Sequence, residues 1–412
     1  MKLALIGAGN RITFQYALNL EKNFKETVEM VGVYDINLTR AKRLSDRLDK
    51  RIKVYESVEQ LLNESNCDTV LIGSLDATHD IYIDLAMRHG CDVICEKPIT
   101  TTPEKANVIL KAQEDTHKKL TITFNYRFTQ FATTIKETLR SHSIGTIQSV
   151  HFEWLLDQEH GADYFRRWHR EKKNSGGLAV HKATHHFDLV NWLIEKKPLE
   201  VYAKGGLYYY GAKNSPFNGE YCRVCMHKNE CEFYKDYTED DAIMTMFHRA
   251  EHEDGYHRDG CVFSDKIDIE DTITALVSYE DHIDLSYKLI AYAPYEGYRI
   301  SITGNKGRIE AEDFHGLVGP FANQQIYRLH VFDDQGNRQE IDVPVSAGSH
   351  GGGDDRMMEM IFAKEKIEDP LDHMADSEAG FNAAYIGMAI NIALAEHRVV
   401  KIEELRRKQG EK

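Results

Sequence analysis

The chain opens on a short apolar run, Lys2–Ile6, closed by Gly7-Ala8-Gly9, and the pattern then changes period. Over Ile12–Leu20 the apolar residues recur at helical spacing, and the two patterns keep alternating afterwards. Val28–Tyr34 reads as a buried strand ending in Asp35, Leu38–Leu48 as a helix, and Thr69–Gly73 as a strand. Ile81–Arg88 follows as a helix and Asp92–Cys95 as another strand. Strands alternating with helices in units of this length predict parallel pairing and a doubly wound sheet. Further along, strands are expected near Glu200–Tyr210 and Asp271–Tyr279, with a polar stretch between them, and a helix starts near Arg356. No repeat of solenoid period breaks the sequence up.

Length and composition narrow this picture. At 412 residues, 42% hydrophobic and 28% charged, the chain has material for two cores and no signature of disorder. The formal charge of −15, with no Lys/Arg block, disfavours nucleic acid and anionic membranes as partners. No apolar stretch approaches the ~20 residues of a bilayer span, and no signal-peptide pattern precedes Leu3. A cytoplasmic protein with its seven cysteines mostly reduced is expected.

In a strand–turn–helix setting, Gly7 and Gly9 acquire a chemical meaning. Residues without side chains let the backbone approach a pyrophosphate, and the following helix supplies N–H donors and a positive dipole end. Asn10 and Arg11 fall in the same turn, while Ile12 occupies the position of the usual third glycine. Asp35, at the end of the second strand, suits the ribose hydroxyls and would repel a 2′-phosphate, so NAD is expected over NADP. The helical phase does not clearly aim Arg40, five residues on, at that site.

The strand Asp92–Cys95 runs into Glu96-Lys97-Pro98. Together with Gly7-Ala8-Gly9-Asn10-Arg11, Thr78-His79, Asn125-Tyr126-Arg127 and Gly176-Gly177 before a His-rich segment ending in Asp188, it carries a resemblance. The chain resembles the glucose–fructose oxidoreductase/inositol dehydrogenase/MocA (Gfo/Idh/MocA) family over nearly its whole length. The resemblance implies an N-terminal Rossmann domain, residues 1–124. A C-terminal α/β domain with a large open, mainly antiparallel sheet follows at 125–412, with an insertion at about 211–270. One face of that sheet would cover the nicotinamide, and the other would form a homo-oligomer interface. The dinucleotide contacts it implies are Gly7, Gly9, Asn10, Arg11, Asp35, Thr78, His79, Glu96, Lys97 and Pro98, with the peptide before Pro98 often cis. Lys97 would touch substrate near the nicotinamide. Independently, a lysine at the C-terminal end of a parallel strand lies on the ligand-binding edge, where its ammonium can polarise an alcohol or carbonyl oxygen.

The segment Ser175–Trp192 reads as a loop entering a helix, with His181, His185 and Asp188 at i, i+4 and i+7 on one face. The family's histidine falls on His185 and its preceding aspartate on His181, a departure that removes a carboxylate. Imidazole suits removal of an alcohol proton near neutral pH. This reading makes His185 the base and Lys97 the electrophile and relay. His181 and Lys182 are then substrate ligands or modulators, with zinc chelation by His181 and His185 as an alternative. Tyr126, Arg127, Arg167, Trp168 and His169 are expected to bind a sugar through aromatic faces and guanidinium forks. The resemblance brings His350, in a glycine-rich turn, over the substrate.

The insertion carries Cys222-x2-Cys225-x5-Cys231, with Cys261 further on. That set suits a structural zinc site in a reduced compartment; iron–sulfur ligation, free thiols and a disulfide are the other readings. Three functions fit the whole: an NAD-dependent dehydrogenase acting on a secondary hydroxyl of a sugar, glycoside or cyclitol; a redox-neutral NAD-dependent glycosidase working by transient oxidation and elimination; or a non-catalytic NAD-binding sensor.

Overall fold

The computed structural model describes residues 1–215, 217, 219–315, 321, 322 and 324–406. The strands are β1 (Lys2–Ile6), β2 (Glu29–Tyr34), β3 (Thr69–Ile72), β4 (Asp92–Cys95), β5 (Leu120–Ile122), β6 (Ile147–Asp157), β7 (Pro198–Gly206) and β8 (Thr272–Tyr279). After them come β9 (Asp284–Ala293), β10 (Glu296–Gly304), β11 (Gly307–His315), β12 (Ile326–Asp333), β13 (Arg338–Pro344), β14 (Ala375–Asp376) and β15 (Val400–Lys401).

The first five strands form a parallel sheet in the order β2-β1-β3-β4-β5, and β14 pairs antiparallel with β5 at its edge. All four residues of β3 are buried, as expected of a central strand with helices on both faces. The second sheet runs β13-β12-β11-β10-β6-β9-β8-β7-β15 among the described residues. Only its β6–β9 pair is parallel. In β9 every second residue is buried: Leu285, Tyr287, Leu289, Ala291 and Ala293 face the core. Helices Ala183–Ile194 and Ser377–Glu396 pack together beside this sheet. On the opposite face lie Leu276, Lys288, Arg299 and Glu312, so the sheet has one apolar and one mixed surface.

The missing third glycine has a structural answer. Ile12 is fully buried and packs against Gly73, where an added Cβ would meet the Ile12 side chain at 2.4 Å. The close approach that normally needs a glycine on the helix is made with a glycine on the strand side instead. Residues Arg11–Ala17 are wound as a π-helix before α-helical geometry starts at Leu18.

Two later segments return to the first sheet. Helix Gly353–Phe362 places Met357, Met358 and Phe362 in the apolar cluster that holds Leu3, Ile12 and Val33. From the insertion, helices Asp241–Met246 and Glu251–Asp254 dock beside the loop after β2: Asn37 donates to the Ala250 carbonyl, and Thr39 to the Glu253 carboxylate. No helix among the described residues is long and apolar enough to cross a membrane.

Candidate active site

The turn after β1 begins with Gly7 at φ +99°, where a Cβ would stand 2.6 Å from the Gly73 carbonyl oxygen. A Cβ on Gly9, by contrast, would meet nothing within 4 Å, so the turn is backed by protein on one side and open on the other. Asp35 is fixed by donations from the Ala8 N–H at 2.6 Å and the Asn37 N–H at 2.8 Å. Burial raises its carboxyl above the ordinary value, against the opposing pull of Arg40. Contrary to the helical-phase reading, Arg40 does reach this site, with Nη1 3.3 Å from Asp35 Oδ1. Its other end is held by Asp254 at 2.8 Å, and its guanidinium lies over the rings of Phe247 and Tyr256.

β4 delivers Lys97 to the same edge of the sheet, and the Lys97–Pro98 peptide is cis, as the resemblance implied. Lys97 Nζ donates to the His181 carbonyl at 3.0 Å. Burial lowers the Lys97 ammonium from its usual value, while the Asp76 and Glu96 carboxylates partly restore it. Asp76, in the loop after β3 and 3% exposed, is the residue that the sequence reading missed. Its Oδ2 lies 2.5 Å from His181 Nδ1. The carboxylate lost where His181 replaces aspartate is thus supplied from the other domain. Burial raises Asp76, and burial, followed by the Lys97 ammonium, pushes His181 down.

The His-rich segment is not one helix. Gly176 and Gly177, both at positive φ, start a single turn, Leu178–His181, and the chain re-enters a helix at Ala183 after Lys182. The three residues expected on one face meet different partners. His181 meets Asp76 and the His169 ring, at 4.4 Å between centroids. His185 packs edge-on to Tyr126 at 4.9 Å and to Phe124, and its buried Nδ1 has no hydrogen-bond partner among the described residues. Asp188 turns to Arg127. His186 stacks on Trp154 at 4.2 Å and bonds Tyr287 Oη, inside the core. Lys182 lies over the Trp154 ring at 4.6 Å, and burial pushes its ammonium down to about 8, with Glu296 opposing.

Four of the expected ligands bond groups of the protein itself. Arg127 makes a two-pronged ion pair with buried Asp188 at 2.5 and 2.8 Å and donates to the Asp372 carbonyl, so its fork is occupied by protein. Arg11 spends its guanidinium on Glu96 at 2.8 Å and on Asp354 at 2.7 and 2.9 Å, and Tyr16 shares Glu96. His79 contacts the Pro98 and Ser74 carbonyls through its two ring nitrogens, and thus braces the Lys97–Pro98 turn. Thr78 likewise bonds Leu75 and Ser74.

The remaining expected residues do gather. Trp168 and His169 border His181, and Tyr126 borders His185. Arg167 faces Tyr256 of the insertion at 3.3 Å. The glycine-rich turn returns as expected: His350 lies 5.8 Å from the Tyr126 ring and contacts Asp354, which also accepts from Arg11 and Asn125. Gly353 is required there, because a Cβ would stand 2.5 Å from the Asn125 carbonyl oxygen.

Cys222, Cys225, Cys231 and Cys261 line one cavity of about 20 Å³, and none is in a disulfide. Among the described residues, the one cluster of three metal-ligand types with atoms all within 4.8 Å is Glu251, His257 and Asp259. The Arg223 guanidinium bonds all three. That trio is therefore an ion-pair cage.

Comparison with known proteins agrees with this architecture. Residues 1–124 match the model of the Gfo/Idh/MocA oxidoreductase family, NAD-binding Rossmann fold, and residues 136–402 match the family's C-terminal alpha/beta domain. The chain is 36% identical to a putative oxidoreductase YteT of Bacillus subtilis (strain 168), over 98% of each chain. It is 26% identical to an inositol 2-dehydrogenase of Arthrobacter sp. (strain FB24), over 37% of this chain and 45% of that one. An oxidoreductase from Agrobacterium radiobacter, solved in complex with NAD+, L-tartaric acid and magnesium, superposes with a TM-score of 0.65 at 16% identity, covering 98% and 99% of the two chains. With both domain models matched in order along one chain, the protein belongs to the Gfo/Idh/MocA family of oxidoreductases.

Proposed function

We propose that this protein is an NAD-dependent dehydrogenase that oxidises a secondary hydroxyl of a sugar, glycoside or cyclitol. The observation carrying this reading is the meeting of Lys97 with the Asp76–His181 pair at the C-terminal edge of the parallel sheet. Gly9 leaves open space for a pyrophosphate, and Asp35 offers a fixed carboxylate to a ribose, so the residues present fit the cofactor. Held by the turn at Gly7–Gly9 and by Asp35, NAD would supply a hydride acceptor for oxidation of the carbinol. Lys97 donates a hydrogen bond to the substrate oxygen and stabilises negative charge on it. The hydroxyl proton goes to an imidazole.

The two candidate imidazoles differ in their tautomers. His181 bonds a carboxylate through Nδ1, which keeps the proton there and leaves Nε2 with a lone pair. His185 has a buried Nδ1 without a partner, so a proton there costs an unmet donor and the ring favours N–H at Nε2. We therefore assign His181 as base, with Asp76 as its positioning residue, and His185 as a donor to substrate. This reverses the roles expected from sequence. Tyr126 and Trp168 offer aromatic faces to a sugar ring, with Arg167, His169 and His350 at its hydroxyls. Self-association through the mixed face around Leu276 and Lys288 completes the proposal, and light scattering showing only monomer would remove that part.

The test is to incubate the protein with NAD and a panel of glycosides, sugars and cyclitols, following NADH absorbance and aglycone release together. Net NADH is expected. Aglycone without net NADH would replace the dehydrogenase by a redox-neutral glycosidase, and neither signal across the panel would leave an NAD-binding protein without turnover.

A further inference from the structure

Arg166 is 2% exposed, yet its nearest carboxylate, Asp163, stands 4.0 Å away. The guanidinium points into the cysteine cavity, with Nη1 3.1 Å from Cys222 Sγ, Nη2 on the Phe233 carbonyl at 2.8 Å and Nε, the atom facing Asp163, without a hydrogen bond. A buried guanidinium demands a compensating anion, and neutral thiols provide none. Four thiolates around a divalent ion carry two net negative charges, which would meet that demand. Backbone groups are placed for the same charge: the Phe263 N–H donates to Cys261 Sγ at 3.4 Å, and the backbone at Phe233 and Lys235 hydrogen-bonds Cys231 and Cys222. The cavity has room for one water-sized body. Its sulfurs stand further apart than ligands of one ion, so closure requires them to swing inward.

What the cysteine turn holds can be followed residue by residue. Between Cys222 and Cys225 lies Arg223, which bonds Glu251 at 2.6 Å and Asp259 at 2.7 Å. Glu251 begins the short helix that ends at Asp254, and Asp254 grips Arg40, the cation on Asp35. Asn37 and Thr39 dock on the same segment.

We propose that Cys222, Cys225, Cys231 and Cys261 bind one zinc ion, and that this ion pins residues 241–256 against the ribose end of the NAD site. The cap rests on the cofactor site assigned above, but the metal does not depend on turnover. Metal analysis of the intact, untagged protein should give close to one zinc per chain, with X-ray absorption showing four sulfur neighbours at ~2.3 Å. Stripping zinc with an organomercurial should raise amide hydrogen exchange in 241–256 and 36–47 and weaken NAD binding several-fold. Thiol reductant plus zinc should reverse both effects. Cys225→Ser should lose the metal and show the same exchange pattern. Metal-free protein with four titratable thiols would overturn the proposal, as would iron with its visible thiolate absorption. Zinc whose removal leaves exchange and NAD affinity unchanged would overturn the cap.

Discussion

Asp35 and Arg40 sit on each other at the proposed ribose end of the cofactor groove, and what each can bond would decide between two dinucleotides. A carboxylate accepts from ribose hydroxyls and repels a phosphate; a guanidinium does the reverse, but Arg40 is held by Asp35 and Asp254. Titration should therefore show NAD bound more tightly than NADP, and Asp35→Ala should narrow the gap by freeing Arg40. Equal affinities in the unchanged protein would remove the argument. Lys182 makes a second residue-scale prediction. Burial beside Trp154, with Lys97 nearby, takes its ammonium down to about 8, whereas an unfolded lysine keeps its proton to about pH 10.4. Between those values the unfolded chain binds the extra proton, so this group makes stability rise with pH through that window and contributes a constant penalty below it. Lys182→Met should flatten the rise in melting temperature between pH 8 and 10; an unchanged slope would contradict it. Lys97 was legible at this scale, because a strand end followed by proline marks the ligand edge. Asp76 was legible only in part: it too follows a strand, but nothing in the spacing shows that it faces a histidine 105 positions later.

At the level of elements, the first helix shows how a packing rule survives the loss of its usual residue. Bulk at Ile12 is tolerated because Gly73 lacks a side chain, and Ile12 is too buried to retreat. Gly73→Ala should cost roughly 1–3 kcal/mol by overpacking. Ile12→Ala should cost less on that background than in the unchanged protein, and additive losses in denaturant melts would show that the two sites do not touch. Arg127 and Asp188 make a comparable pair between the turn after β5 and helix Ala183–Ile194. Arg127→Met should cost about 3–5 kcal/mol, because it strands a buried carboxylate, and Asp188→Asn added to it should restore much of the loss. A single substitution as mild as the double would contradict that account. The alternation of strands and helices to Cys95 was readable because each run is short, apolar and bounded by polar turns. The interruption at Lys182, between a four-residue turn and a twelve-residue helix, was not, since i, i+4, i+7 spacing looks the same with or without it.

The molecule as a whole joins its parts more closely than a division at residue 124 suggests. Helix Gly353–Phe362 completes the first core, β14 extends the first sheet, and the insertion grips the loop after β2. These long-range returns leave no periodic trace, which is why the sequence could place the glycine-rich turn over the site by resemblance alone. They also mean that the proposed reaction centre would be shared: Lys97 and Asp76 come from one domain, His181 and His185 from the other. The measurement that tests this most directly is single-turnover NADH formation, on a substrate drawn from the panel, in the unchanged protein, His181→Ala and His185→Ala, with NAD affinity measured alongside. A loss of about a hundred- to ten-thousand-fold is expected for His181→Ala, a smaller loss carried mainly in KM for His185→Ala, and near-constant NAD affinity. Near-normal turnover in His181→Ala, with turnover lost in His185→Ala, would contradict it and return the base to His185.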